Sequence, residues 1–561
     1  MSSESTALFE ALSELLVGPG TRANDGATVY RLDLGEVPAG CAISFAELIV
    51  PKGFPEEAIA RIRVSKGAVL RVPHVERDGL LCIDGDPGPG RGLDGVQRVQ
   101  TLVRNFYDQF FNPWCRGELD GDFAKEPQNY WSVNVAQLRT TDDTACKVWT
   151  VNDVPRTAQV REGLLLLPGR IIIADDGDKQ FVQRVVASLG PRARQRVRVI
   201  VADIPISRSF VPETWPKDVE AVLSVVRVRL KPSDYRRFFE QTLRKRRKRE
   251  HRVALFRNHE GGFAFVLPGG PPVVVKERNR YRATFPHSSI QPLMVERVDP
   301  HWTVGRDQIS QVATRQQKHV VVFGAGALGS PVVEQLAKAG IGRITLADSD
   351  TMETANLGRH LLGAKHVGYG KSAAVAHELN QSFPSCIVEA YGHKAERWLR
   401  SNILKDVDLV LDLTGEPEVR WHLNEARRKH PCKLLVGWME PFVAAAHVCL
   451  LTSDTLWLSQ PGDENRLKQL EAVDWPAEVI RQVPGCSSRF QAYTAANAAY
   501  AVALASENAL RLIDDEVESS LVLSWVRGQE FLDKHWPNLK HREWAADAAK
   551  HVGLTKERPF I

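Results

Sequence analysis

The chain has 561 residues, 43% of them hydrophobic and 25% charged, with a formal net charge of +5. At roughly 100–200 residues per domain, that length implies about three to five folding units, and the composition is that of a globular protein rather than a disordered or fibrous one. The small positive excess points neither to nucleic acid nor to a membrane surface. No apolar run reaches the about 18–20 residues of a membrane-spanning helix. The opening segment MSSESTALFEALSELL is polar, acidic and amphipathic, unlike a signal peptide, so a cytoplasmic protein is expected.

Residues 1–155 read as an α+β domain. A helical pattern (Leu8, Leu12, Leu15, Leu16) precedes strands expected at Ala42–Val50, Ala60–Val64 and Leu70–Val72. A turn cluster, DGDPGPGRG at Asp84–Gly92, leads into a helical stretch over Val96–Phe111 and an aromatic, Asn-containing tail. Residues 156–300 read as a middle α/β domain. LLLLPGRIIIADD suggests two short strands around a turn, and Val197–Ile204 and Val222–Leu230 suggest two more. Gly261–Val275 reads as a β-hairpin-like element. The basic run RKRRKREHR (Arg244–Arg252) continues a helix in which Phe238, Phe239 and Leu243 sit at near-helical spacing. A solvated helix face explains it better than a nucleic-acid patch.

Residues 301–561 alternate strand and helix. Strands are expected at His319–Phe323, Arg343–Ala347, Ile387–Tyr391, Leu409–Leu413 and Leu434–Val436. Helices are expected after Gly329, after Gly370, after Glu416 and from Phe490 to Ile513. This is the pattern of a mainly parallel, Rossmann-like sheet that binds phosphates at its carboxyl edge.

The first strand of that region ends in GAGALGS, with Gly324, Gly326 and Gly329 opening a helix. Such a loop presents backbone N–H groups to phosphates. With Asp348 downstream it also satisfies the dinucleotide pattern of an oxidoreductase. The following residues suit a triphosphate better: a second acid (Asp350), Asn356 and Arg359 in NLGRH, and Lys371 in GYGK. Arginine forks onto phosphate oxygens, asparagine donates to them, and lysine supplies a mobile point charge. Asp348 suits ribose hydroxyls.

In these four elements the chain resembles the adenylation domains of ubiquitin-activating-type enzymes, including the ThiF-type bacterial members that charge sulfur carriers. The resemblance implies ATP with Mg2+, a homodimer-like pairing of domains, and adenylation of a protein C-terminus. It also implies a role for Arg306, in GRDQ, as the arginine that reaches a partner's triphosphate. The family's usual magnesium-binding Asp falls where this chain has Gly415, which leaves Asp412 or Glu416 as candidate ligands. Magnesium needs only one or two carboxylates.

The chain has eight cysteines and no CxxC pair, which gives no support for structural zinc and fits a reducing compartment. Enzymes of the resembled type pass the adenylate to a thiol. Cys486, in VPGCSSRF before a long helix, is the first candidate; Cys432 and Cys449 lie in apolar runs and read as core. The segment Phe54–Asp86 is similar to the ubiquitin-conjugating fold, which assigns Cys82 as a catalytic cysteine and His74 as its upstream histidine. The usual HPN turn is PHVE here, so its asparagine is missing and another oxyanion donor is needed.

Taken together, the chain is similar to the fused activating–conjugating proteins of bacterial anti-phage (CBASS) operons. The implied relay runs from an adenylate to Cys486, then to Cys82, then to an amine, expected to be a target lysine. The activated carboxylate would belong to a cyclic-nucleotide synthase or a ubiquitin-like protein. The alternatives are a sulfur-carrier adenylyltransferase of the thiamine or molybdopterin type, an NAD-dependent oxidoreductase, and a non-catalytic ATP-sensing scaffold.

Overall fold

The computed structural model describes residues 8–36, 41–137, 147–174, 179–244, 251–267, 273–277, 280–284, 290–458, 462–476, 479, 481–482, 489–490 and 493–560. The chain divides into two compact units: residues 1–177 with 194–296, and residues 178–193 with 297–561. Among the described residues no helix is long and apolar enough to cross a membrane.

The first unit begins with an antiparallel sheet of β1 (Thr21–Arg22), β2 (Thr28–Arg31), β3 (Ala46–Val50) and β4 (Arg61–Val64), in that order. Side chains alternate across a strand, so Ala46, Leu48 and Val50 of β3 turn inward. They join Val99, Leu102 and Val103 of the helix Gly95–Asn105 in one core. Asp94 and Gln97 form a capping box at the start of that helix. The chain then continues as a π-turn, Phe106–Phe111, which buries three phenylalanines.

The same helix carries Arg98, which is 2% exposed. Its Nε and Nη2 donate to the two oxygens of Asp86 at 2.6 and 2.7 Å. Further bonds run to the carbonyls of Pro55 (2.5 Å) and Ala58 (3.1 Å). Asp86 also accepts from the N–H groups of Ala60 and Gly88. A buried ion pair is tolerable only when its remaining donors and acceptors are satisfied, and here they are. Burial by itself raises the Asp86 carboxyl, but the Arg98 and main-chain bonds outweigh it and hold it below the usual range. The pair pins the loop that follows Cys82.

A closed barrel completes the unit. Its strands are β5 (Lys147–Thr150), β6 (Gln159–Pro168), β7 (Ile171–Ile173), β8 (Ala193–Pro205), β9 (His251–Arg257), β10 (Gly262–Leu267) and β13 (Gln291–Arg297). They close in the order β10-β13-β5-β7-β6-β8-β9, while β11 (Val273–Glu277) and β12 (Arg280–Thr284) form a separate ribbon. The aromatic tail foreseen in the sequence is the helix Pro127–Gln137. Its Trp131 donates to the Leu293 carbonyl at 2.9 Å and meets Trp215, Phe263 and Phe265 edge-on.

Three sequence expectations change here. Val222–Leu230 is not a strand: most of it lies in the helix Val219–Arg229, capped by Asp218. Val219, Val222, Leu223 and Val226 are its buried residues, a 3.6-residue period that β-branched composition obscured. Leu70–Val72 is a turn, with Leu70 at φ 60. Gly261–Val275 is not a hairpin, because β10 pairs with β9 and β13 whereas β11 pairs with β12. Residues 245–250 of the basic run lie outside the described residues.

The second unit is built on an eight-stranded sheet, ordered β16-β15-β14-β17-β18-β19-β22-β23. β14 (His319–Phe323), β15 (Arg343–Ala347), β16 (Ile387–Tyr391), β17 (Leu409–Asp412) and β18 (Lys433–Met439) run parallel. β19 (Ala445–Leu451), β22 (Leu521–Arg527) and β23 (Gly553–Pro559) extend it antiparallel. Between β19 and β22, the two-residue strands β20 (Arg481–Gln482) and β21 (Arg489–Phe490) pair with each other. Helices Gly329–Lys338 and Ala495–Ile513 bury their apolar stripes on one sheet face; Trp398, Val419 and Leu423 cover the other. This is a doubly wound α/β fold, and its strand order reverses at β14.

Arg98→Met leaves the Asp86 carboxylate buried without its partner, at a cost of about 3–5 kcal/mol. Hydrogen exchange over residues 46–105 is expected to speed up. Because the Asp86 carboxyl is held below its unfolded value, the contribution is present above the ordinary carboxylate range and is lost as pH falls through the folded pKa. The difference between variant and wild type therefore narrows in acid.

Candidate functional site

In the parallel sheet, Phe323 of β14 registers with Ala347 of β15 on one side and Asp412 of β17 on the other. Two crossovers leave in opposite directions there, which opens a crevice at the carboxyl edge. The glycine loop lies at this point, and its three glycines have different reasons. Gly324 has φ 95, and a Cβ on it would meet the Leu413 carbonyl oxygen at 2.9 Å. A Cβ on Gly329 would lie 1.9 Å from the Gly324 carbonyl oxygen. Gly326 has neither constraint: its φ is ordinary, and a Cβ would meet nothing within 4 Å. Open space at the mouth of a helix N-terminus is what a phosphate requires.

Asp348 holds this loop. Its carboxylate accepts the Ala325 N–H at 2.6 Å and the Asp350 N–H at 2.7 Å. Burial raises the carboxyl, and the two N–H groups oppose that only in part. Each oxygen keeps a further lone pair for a hydroxyl donor. Lys371 opens the helix Lys371–Ser382, a poor place for a cation because the helix dipole is positive there. It is nonetheless buried, donating to Asp350 at 2.9 Å, with its main-chain N–H on the Asp350 carbonyl. Ser372 donates to the Asp348 carbonyl, closing the junction.

NLGRH forms the opposite side. Asn356 caps its own short turn by accepting the Glu353 N–H at 2.9 Å. The Arg359 guanidinium stacks over Tyr493, 5.2 Å from the ring centroid. His360 was not singled out in the sequence. Its Nε2 donates to the Ala325 carbonyl at 2.6 Å while Nδ1 accepts the Leu362 N–H at 3.0 Å. Burial holds its pKa below the usual imidazole value, which fits this neutral tautomer. The available signal was its place in NLGRH, next to Arg359, since a histidine can donate through one ring nitrogen and accept through the other.

Arg306 stands apart, an exposed left-handed residue at the end of the helix Pro300–Gly305. Asp412 is buried. Its Oδ1 accepts from the Thr414 hydroxyl at 2.6 Å, and Arg420 lies 3.8 Å from Oδ2. Glu416 is exposed, and Gly415 has φ 76. Among the described residues no group of three or more His, Cys, Asp or Glu is placed to hold a metal ion. A carboxylate already engaged by Thr414 and Arg420 is a poor fit for a magnesium ligand.

In the first unit, Cys82 is exposed and its N–H donates to the His74 carbonyl at 2.9 Å. His74 has φ 61, an uncommon conformation for a non-glycine residue. Its N–H donates to the Tyr130 hydroxyl at 3.0 Å, and its Nε2 lies 2.9 Å from Asp122 Oδ2. Lys125 meets the other Asp122 oxygen at 2.5 Å. Burial raises the Asp122 carboxyl, but His74 and Lys125 outweigh it and keep it low. Asp122 and Tyr130 were not found in the sequence, being 40 or more residues from Cys82 with no motif linking them.

Cys486 lies outside the described residues, between β20 and β21. Cys432 and Cys449 are buried as expected, and burial pushes both thiols up. A Ser524–His447–Glu440 chain has bonds of 2.7 and 2.6 Å, the order of a nucleophile triad. All three residues are at most 2% exposed, so it serves packing of the sheet rather than chemistry.

Residues 304–519 match the model of the ThiF family. This part of the chain is similar to the ThiF family. Over 533 residues the chain is 25% identical to the ATP-dependent ubiquitin transferase-like protein Cap2 of Pseudomonas aeruginosa, covering 89% of this chain and 87% of that protein. It is 38% identical over 117 residues to the adenylyltransferase and sulfurtransferase UBA4 of Candida albicans, 21% of this chain and 26% of that one. The chain thus spans about a quarter of UBA4. A solved structure of E. coli MccB with ATP aligns over 38% of this chain and 61% of that chain, at 19% identity and a TM-score of 0.30.

Gly326→Ala adds a methyl that meets no protein atom, so folding is expected to be unaffected. If the loop cradles phosphate, ATP affinity falls about tenfold or more, about 1.4 kcal/mol, measured by calorimetry. Gly329→Ala drives its methyl into the Gly324 carbonyl and is expected to lose both ATP binding and thermal stability.

Proposed function

We propose that this protein adenylates the C-terminal carboxylate of a protein partner and passes the acyl group through two thiols to an amine. The observation that carries the reading is the junction at Asp348, which ties the glycine loop to the segment holding Asp350 and Lys371, while His360 ties NLGRH to the same loop.

In this reading ATP lies on the glycine loop with its ribose toward Asp348. Arg359 and Asn356 meet phosphate oxygens, and Lys371 moves from Asp350 to follow the charge as it shifts. The carboxylate oxygen attacks the α-phosphorus and pyrophosphate leaves. Preorganised cations aimed at developing charge supply most of such a rate enhancement. Magnesium, held chiefly by the triphosphate and water, would neutralise part of that charge. Cys486 then attacks the mixed anhydride and AMP leaves. Cys82 takes the acyl group by thioester exchange, and a target lysine takes it as an amide. Arg306 completes the partner copy's site in a homodimer.

The name of the Pseudomonas relative, a ubiquitin transferase-like protein, supports this relay, as does its extent across both units. The reading places the protein in bacterial anti-phage defence, in the cytoplasm, acting on a cyclic-nucleotide synthase or a ubiquitin-like protein. The similarity to UBA4 supports a second reading, sulfur-carrier adenylylation, in which the first unit only binds. An NAD-dependent reaction gains nothing from a lysine buried at a helix N-terminus.

ATP–pyrophosphate exchange that depends on a protein with a free C-terminus tests the first step. Lys371→Ala is expected to slow it about 10²–10³-fold. A reductant-sensitive adduct is expected to persist on Cys486 in Cys82→Ala and to vanish in Cys486→Ala. An adduct that survives Cys486→Ala but is lost with Cys82→Ala reverses the order of thiols. No adduct on either cysteine leaves the sulfur-carrier reading.

A further inference from the structure

The first unit surrounds Cys82 with groups that a mere acyl carrier does not need. His74 O accepts the Cys82 N–H, so the imidazole belongs to the residue one hydrogen bond from the thiol's own backbone. With Nε2 donating to Asp122, Nδ1 carries the ring lone pair, and no donor among the described residues engages it. The imidazole is 28% exposed and Asp122 10%, so the ring reaches solvent while its anchor does not. Lys125 fixes the second Asp122 oxygen, and the Tyr130 hydroxyl fixes the His74 main chain in its left-handed conformation. Holding a non-glycine residue at positive φ costs on the order of 1–3 kcal/mol and persists only where neighbours enforce it. Here the helix Pro127–Gln137 enforces it, with Tyr130 on His74 and Trp131 anchored in the barrel.

We propose that His74 is the general base that takes the proton of the incoming amine at Cys82, with Asp122 as its positioning residue. The inference rests on the reading of Cys82 as an acyl carrier. A lysine amine has pKa about 10.4 and is almost wholly protonated at neutral pH. An imidazole both takes and gives protons near neutrality. The ammonium first gives one proton to His74 Nδ1, which releases it to water, and this frees the nitrogen lone pair. The amine nitrogen then attacks the thioester carbonyl carbon, the C–S bond breaks, and its electron pair leaves on the Cys82 sulfur. The second amine proton passes to His74 Nδ1 and from there to the departing thiolate. Asp122 holds the ring in the tautomer that leaves Nδ1 open and balances the imidazolium formed. The sequence PHVE lacks the asparagine of the resembled turn, and the His–Asp pair gives the site a different means of promoting aminolysis.

The test uses the full chain. Cys82 is charged with ATP and the carrier protein, ATP is removed, and discharge of the loaded pool is followed at pH 7. Free lysine and hydroxylamine are compared as nucleophiles; hydroxylamine is already neutral at that pH and needs no base to free its lone pair before attack. In His74→Gln, discharge to lysine is expected to fall about 100-fold, and discharge to hydroxylamine far less. Asp122→Asn, which keeps the imidazole, is expected to shift the same ratio in the same direction by a smaller factor. Equal losses with both nucleophiles, or no loss with lysine, overturn the assignment. Absence of any Cys82 thioester in the wild-type chain instead overturns the relay beneath it, a result distinguishable from either.

Discussion

The candidate nucleotide site depends on one carboxylate that bridges two pieces of backbone. Asp348 accepts an N–H from the glycine loop and another from the turn that carries Asp350. A charged acceptor makes stronger bonds than a neutral one, and more so where water is excluded. Everything nearby takes its position from that bridge. Lys371 can be buried at an unfavourable helix terminus because Asp350 is presented to it. His360 can reach the Ala325 carbonyl because the Ala325 N–H is already fixed on the other side. A loop that would otherwise be free to collapse over Gly326 is held from both faces.

The first unit applies the same logic to a thiol. His74 is held by three bonds: its carbonyl to Cys82, its N–H to Tyr130, and its ring to Asp122. Each of the three partners comes from a different segment of the chain. The Arg98–Asp86 pair does corresponding work on the far side of Cys82, fixing residues 84–92 to the helix Gly95–Asn105. In both units, buried charge is used to specify geometry, a role in which it has an advantage over apolar packing because its bonds have direction.

The parallel strands were legible because each is a short apolar run bounded by glycine or charge. β14, β15 and β16 have the expected limits. Elements whose composition and period disagree were harder. The helix Val219–Arg229 is rich in β-branched residues and hides a 3.6-residue repeat behind a strand-like alphabet. The barrel was not legible at all. Its closure joins β10 to β13 and β5 to β7 across wide sequence separations, and local pattern carries no register.

By itself the sequence determined the candidate residues that sit in contiguous motifs: the glycine loop, Asp348, Asp350, NLGRH, Lys371 and the Cys82 segment. Their identity and order follow from local constraints, such as a strand that must turn into a helix or a Cβ that cannot fit at Gly329. Tertiary structure alone decided the partners. Asp122 and Tyr130 meet His74 across 48 and 56 residues, and His360 meets Ala325 across 35. A hydrogen bond depends on distance and direction in space, neither of which spacing along the chain encodes once loops of arbitrary length intervene.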